Sequence, residues 1–110
     1  MEITTISYNR CDLVKAIGRI DSETAPDLQK AFNSTIESGK AGIIFDMSEV
    51  DFISSRGIWV LLETQKVCSK KKGKLALVNV ADEMLKSFDL VGVKHFIEIF
   101  SDVTAAVGSF

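Results

Sequence analysis

The chain has 110 residues, the length of one ordinary domain whose core needs neither disulfides nor metal. Apolar residues make up 46% and charged residues 25%, a globular balance that excludes disordered and fibrous classes. Fifteen acidic against thirteen basic side chains leave a net charge of −2, which counts against a nucleic-acid backbone as partner because such binders carry a basic face.

Residues 3–8 alternate weakly and residues 13–20 read as a strand ending in Gly18-Arg19-Ile20-Asp21. The polar turn between them predicts an opening β-hairpin. A helix follows. Thr24 can cap it with its hydroxyl, Pro26 is tolerated in the first turn, and Asp27 lies three residues beyond the cap. Leu28, Ala31, Phe32 and Ile36 then recur at helical spacing until Gly39 closes the segment. Residues 42–47 form a short continuous apolar run, the mark of a strand covered on both faces. Ser54 or Ser55 starts a second helix that runs to about residue 72. Residues 75–80 are a further buried strand, residues 82–90 a third helix with Gly92 after it, and residues 96–100 a last strand. Ser101 and Asp102 can cap a short final helix. Strands alternate with helices after the hairpin, so the fold expected is one α/β domain over residues 1–110 with parallel pairings.

Several residues invite chemistry and receive a plain reading instead. Cys11 and Cys68 lack metal-ligand spacing and are read as reduced packing thiols. Asp46, Glu49 and Asp51 are read as solvated acids at a strand end and in its exit loop rather than as a metal cluster. His95 is the only histidine, with no second ligand or nucleophile near it in sequence. Lys70, Lys71, Lys72 and Lys74 favour a helix C-terminus, where cations meet the negative end of the dipole. No Gly-rich phosphate loop, nucleophile elbow, secretory start or membrane-length apolar run is present. A cytoplasmic protein without cofactor or metal, a monomer or weak dimer, is the expectation.

The most informative stretch is Phe45-Asp46-Met47-Ser48-Glu49-Val50-Asp51-Phe52-Ile53-Ser54-Ser55-Arg56-Gly57-Ile58-Trp59-Val60-Leu61-Leu62. It resembles the signature of STAS domains: a strand ending Asp-Leu-Ser, a connector with an aromatic, then Asp/Ser-Ser-small-Gly-Leu opening a helix. Gly18-Arg19-Ile20-Asp21 looks like the family's second recurrent element, and Phe96-Ile97-Glu98-Ile99-Phe100-Ser101-Asp102 like its last strand and helix entry. The resemblance spans nearly the whole chain. It implies a mixed β-sheet with helices packed around it, and a role as an anti-sigma factor antagonist. In that role the unphosphorylated protein binds an anti-sigma factor that is also a serine kinase, phosphorylation releases it, and a phosphatase resets it. The acceptor two positions before the motif glycine maps onto Ser55. Here Ser54 stands where many members have Asp, Arg56 replaces a small residue, and Trp59 occupies a place usually small or basic.

Helix physics fits the acceptor role. A serine at a helix start lies beside N–H groups with no intrahelical partner, at the positive end of the dipole. The competing reading makes Ser54 and Ser55 N-caps and nothing more. At about 100° per residue, Ile58, Leu61, Leu62, Gln65 and Cys68 form a core stripe, with Val60 and Val67 flanking it. Ser55, Trp59, Lys66 and Lys70 lie opposite, with Glu63 beside them. Trp59 is either an interface anchor or folded onto a neighbouring loop. Ser55, Arg56 and Trp59 are therefore the expected centre of a partner surface, with Asp21 and Ser22 at its edge and Asp46, Ser54, Gly57 and Glu63 contributing. The competing functions are a STAS module acting on a sensor kinase, phosphatase or chemosensory complex, one binding a small ligand or nucleotide, and an enzyme with Ser55 as nucleophile. The last lacks any motif that places a general base.

Overall fold

The alternating N-terminal pattern forms the hairpin: β1 (Glu2–Ser7) runs antiparallel to β2 (Asp12–Ile20), in a computed structural model that describes every residue from Met1 to Phe110. The chain then passes through α1 (Ala25–Glu37), β3 (Gly42–Ile53), α2 (Ser55–Lys70), β4 (Lys74–Val78) and α3 (Asp82–Val91). A 3-10 turn (Val93–His95), β5 (Glu98–Phe100) and α4 (Val103–Gly108) complete it. The five strands lie in sequence order, with β2 to β5 parallel, so the sheet is mixed as expected.

Helices α1 and α2 pack on one face of the sheet and α4 on the other. The principal core lies under α1 and α2, where Val14, Ala16, Phe32, Phe45, Leu61 and Leu77 are fully buried or nearly so. Phe32 and Phe45 meet edge to face at 5.3 Å. Full burial of each such side chain contributes about 1.5–3 kcal/mol. Helix α3 adds Met84 and Phe88 to this core. A smaller cluster of Cys11, Ile44, Val78 and Ala106 fills the α4 side. Both thiols are buried and free, and burial pushes Cys68 up to about 11, which keeps it protonated and inert at neutral pH.

The structure corrects the sequence at several boundaries. Strand β3 has twelve residues rather than six, so Asp46 sits mid-strand and Glu49 and Asp51 lie within the strand, not in an exit loop. The reason is register. Asp46 is opposite Val78, the last residue of β4, and beyond it β3 pairs only with β2, through two irregularities. Polar residues are tolerated there because one side of the strand is no longer covered. Helix α2 stops at Lys70, and Lys72 adopts φ +65° in the turn to β4. Strand β4 ends at Val78 and β5 begins only at Glu98. Thr24 does not cap α1 with its hydroxyl, which donates to the Arg19 carbonyl at 2.8 Å instead. Gly92 closes α3 at φ +71°, and Asp102 caps α4 by accepting the Ala105 N–H at 2.8 Å.

Candidate partner face at the start of the second helix

Strands β2 and β3 end side by side, with Arg19 opposite Phe52 and Ile20 opposite Ile53. The Ser54 N–H donates to the Ile20 carbonyl at 2.8 Å, tying the end of β2 to the entry of α2. Ser54 is extended, and its hydroxyl accepts the Gly57 N–H at 3.2 Å, so Ser54 is the N-cap. Ser55 is the first helical residue, and its side chain is exposed. Of the two serines the sequence offers as caps, Ser54 makes the capping bond and Ser55 does not. The first turn of α2 carries no acidic side chain, so the dipole's positive end there is unopposed.

Arg56 and Trp59 project from the same turn as Ser55. The Arg56 guanidinium lies over the Trp59 ring at 5.0 Å, and Trp59 is 44% exposed rather than folded into the core. Asp21 and Ser22 form the turn that follows β2. The Asp21 carboxylate accepts the Thr24 N–H at 3.1 Å and the Glu23 N–H at 3.0 Å, which fixes the turn that leads into α1. The Thr24 N–H hydrogen bond holds this carboxyl below the usual range, Glu23 adding to it. Ser22 is exposed, and Glu63 is half-buried two turns along α2.

Two of the expected contact residues lie beneath the surface. Gly57 is buried, and a Cβ added there would stand 2.7 Å from both Ile20 and Ile53 side chains. The motif glycine lets α2 approach the strand ends; it is a packing residue. Asp46 is also buried, accepting the Ser48 N–H at 2.9 Å and the Asn79 amide at 3.2 Å. It ties β3 to the loop after β4.

The core stripe of α2 is rotated from the expected one. Gly57, Val60, Leu61, Thr64 and Cys68 are buried, whereas Ile58 and Leu62 are half-buried and Val67 is exposed. Gln65 is half-buried because its Oε1 accepts the Leu75 N–H at 2.7 Å. One pair escaped the sequence reading: Arg19 stacks on the exposed Phe52 at 4.2 Å beside the start of α2. Its only sequence signal is a cation and an aromatic at two strand ends, and a register shift between Gly18 and Arg19 hides that they are opposite.

Five surface clefts are formed without any lining from Ser55, Arg56 or Trp59. No three His, Cys, Asp or Glu side chains gather closely enough to hold a metal ion. No helix is long and apolar enough to cross a membrane. An exposed serine at an unopposed helix start, flanked by a stacked Arg–Trp pair, is a surface suited to a macromolecule.

A family model described as the STAS domain matches residues 2–106. The chain belongs to the STAS domain family. Among curated relatives, the STAS chain is 30% identical over 95 residues to the anti-sigma-B factor antagonist of Bacillus subtilis, covering 86% of each protein. The fold matches the crystal structure of an anti-sigma factor antagonist from Mycobacterium paratuberculosis with a TM-score of 0.85 at 24% identity, over 98% of this chain and 93% of that one. It also matches the Bacillus cell fate determinant SpoIIAA in its phosphorylated form with a TM-score of 0.76 at 17% identity, over 99% of this chain and all of that one.

Proposed function

We propose that this STAS domain is an anti-sigma factor antagonist that binds an anti-sigma factor with serine kinase activity, and that phosphorylation of Ser55 ends the binding. The observation that carries this reading is the division of labour at the α2 entry: Ser54 makes the cap, and Ser55 is left exposed beside it. The named relatives support the antagonist role. The partner face is Ser55, Arg56 and Trp59, edged by Asp21 and Ser22, with the Arg19–Phe52 stack adjoining. Phosphorylation adds about −1.5 to −2 charges. The helix start accommodates that charge, whereas a docked partner surface must desolvate it, so the complex loses more than the free domain gains. A serine phosphatase would restore binding in the cytoplasm.

Incubating wild type, Ser54→Ala and Ser55→Ala with a cognate anti-sigma factor kinase and ATP, followed by intact mass, tests the assignment. Wild type and Ser54→Ala should each take up one phosphate and Ser55→Ala none. Equal uptake by all three would move the acceptor elsewhere. No uptake by any would end the phosphorylation reading.

A further inference from the structure

We propose that the groove between the outer side of α2 and the turn before β5 is a second docking surface, which takes an apolar side chain flanked by carboxylates from an acidic segment of a partner protein. The groove encloses about 460 Å³ and is lined by Leu62, Glu63, Lys66, Ser69, Lys70 and Phe96. Its apolar bed is Leu62, half-buried, and Phe96, 63% exposed. Phe96 is not a loose loop residue. Its N–H and that of Ile97 both donate to the Val93 carbonyl at 2.9 Å, and Val93 and Ile97 are buried on either side. The turn is anchored by its neighbours, so the ring is held outward toward α2.

The rim is basic in a chain whose net charge is negative. Lys15, Lys40, Lys74 and Lys94 each have a carboxylate partner; Lys66 and Lys70, like Lys30, Lys71, Lys72 and Lys86, have none, and of these six only Lys66 and Lys70 line this groove. They stand four residues apart on one exposed helix face, where like charges repel, and Glu63 alone offsets them. An anionic ligand removes that repulsion. Lysines beside an aromatic ring and a leucine would also suit a nucleic acid or an anionic lipid surface, but an extended polyanion meets the whole chain, whose net charge is −2, whereas a short acidic segment meets only the two lysines of the rim. An acidic segment with one or two large apolar side chains uses both features. Lys66 lies three turns beyond Ser55, so this docking does not depend on the phosphorylation state of that serine.

The test is fluorescence anisotropy with a labelled short peptide in which Leu and Phe alternate with Glu and Asp. Comparison ligands are the same peptide with Lys for each acid, the same with Ser for each apolar residue, phosphatidylglycerol vesicles, and a single-stranded oligonucleotide. The acidic apolar peptide should bind, and both Phe96→Ser and the double variant Lys66→Glu/Lys70→Glu should weaken it at least about tenfold. Ser55→Glu should leave its affinity unchanged. Both groove variants change exposed side chains, and circular dichroism checks that they remain folded. Peptide binding unaffected by the groove variants would overturn the proposal, as would tighter binding of vesicles or oligonucleotide through the same lysines. Sedimentation showing a dimer that Phe96→Ser dissociates would assign the groove to a second copy of the chain instead.

Discussion

Ser54 and Ser55 differ by one position, and only backbone geometry separates them. Ser54 is extended and reaches the Gly57 N–H; Ser55 is already helical and turns to solvent. Ser54→Ala should therefore lower stability by about 1 kcal/mol in urea unfolding, the usual loss for a capping serine. Ser55→Ala should stay within about 0.5 kcal/mol of wild type, as an exposed site without a structural bond does. Equal losses in the two variants would show that the cap is shared. Trp59→Ala removes an exposed ring and its Arg56 stack, so its effect on stability should be under about 1 kcal/mol. Its effect on anti-sigma factor affinity should be larger, about 2 kcal/mol, because a central Trp anchors an interface. The sequence placed Ser55, Arg56 and Trp59 correctly on one outward turn because a helical period is regular. It did not reveal that Gly57 and Asp46 are buried, because motif membership does not distinguish a residue on the surface from one that lets two elements pack.

At the scale of elements, the start of β2 is tied to α1 and the turn after it by a buried carboxylate. Asp12 is 5% exposed; its Oδ1 accepts from the Lys40 ammonium at 2.9 Å and its Oδ2 from the Thr35 hydroxyl at 3.1 Å. Burial pushes the carboxyl upward, but hydrogen bonds from Lys40, Ser7 and Thr35 outweigh it and hold Asp12 below the ordinary carboxylate range. A lowered folded-state value stabilises the fold fully above the unfolded value of about 3.9. That contribution is lost as pH falls through the folded value. Lys40→Met leaves the carboxylate buried without its cation, and should cost about 1–3 kcal/mol at neutral pH, less than a fully buried pair because Lys40 is partly exposed. The gap between the urea midpoints of wild type and variant should shrink as pH falls below about 4, where Asp12 of the unfolded chain begins to protonate. A gap independent of pH would show that Lys40 acts through packing of its stem. No sequence pattern announced this cluster, because residues 12, 35 and 40 meet only once α1 is laid on the sheet. The length of β3 was hidden for a related reason: its second half pairs on one side alone, so its polar residues read as a loop.

The whole molecule measures 31 × 25 × 23 Å, several times the screening length of about 8 Å at physiological salt. Helix α2 alone, with sixteen residues, spans about 24 Å and separates Ser55 from Lys70 at its far end. The basic turn at that end, with Arg10, Lys72 and Lys74 around one cleft, therefore cannot neutralise a charge placed at Ser55. The field of a phosphate is felt locally, by Arg56 and by whatever is docked on the face. The proposed switch would change the surface and leave the fold as it was. Ser55→Glu should accordingly keep its melting temperature within about 2 °C of wild type, since a helix start tolerates an acid. Its affinity for the anti-sigma factor should fall, and the deficit should narrow as salt is raised, because only the part of the loss that is exposed electrostatics is screened. Ser55→Gln has nearly the same size without the charge and should bind close to wild type. If Ser55→Gln binds as poorly as Ser55→Glu, the face rejects bulk rather than charge, and phosphorylation acts by steric exclusion at the first turn of α2.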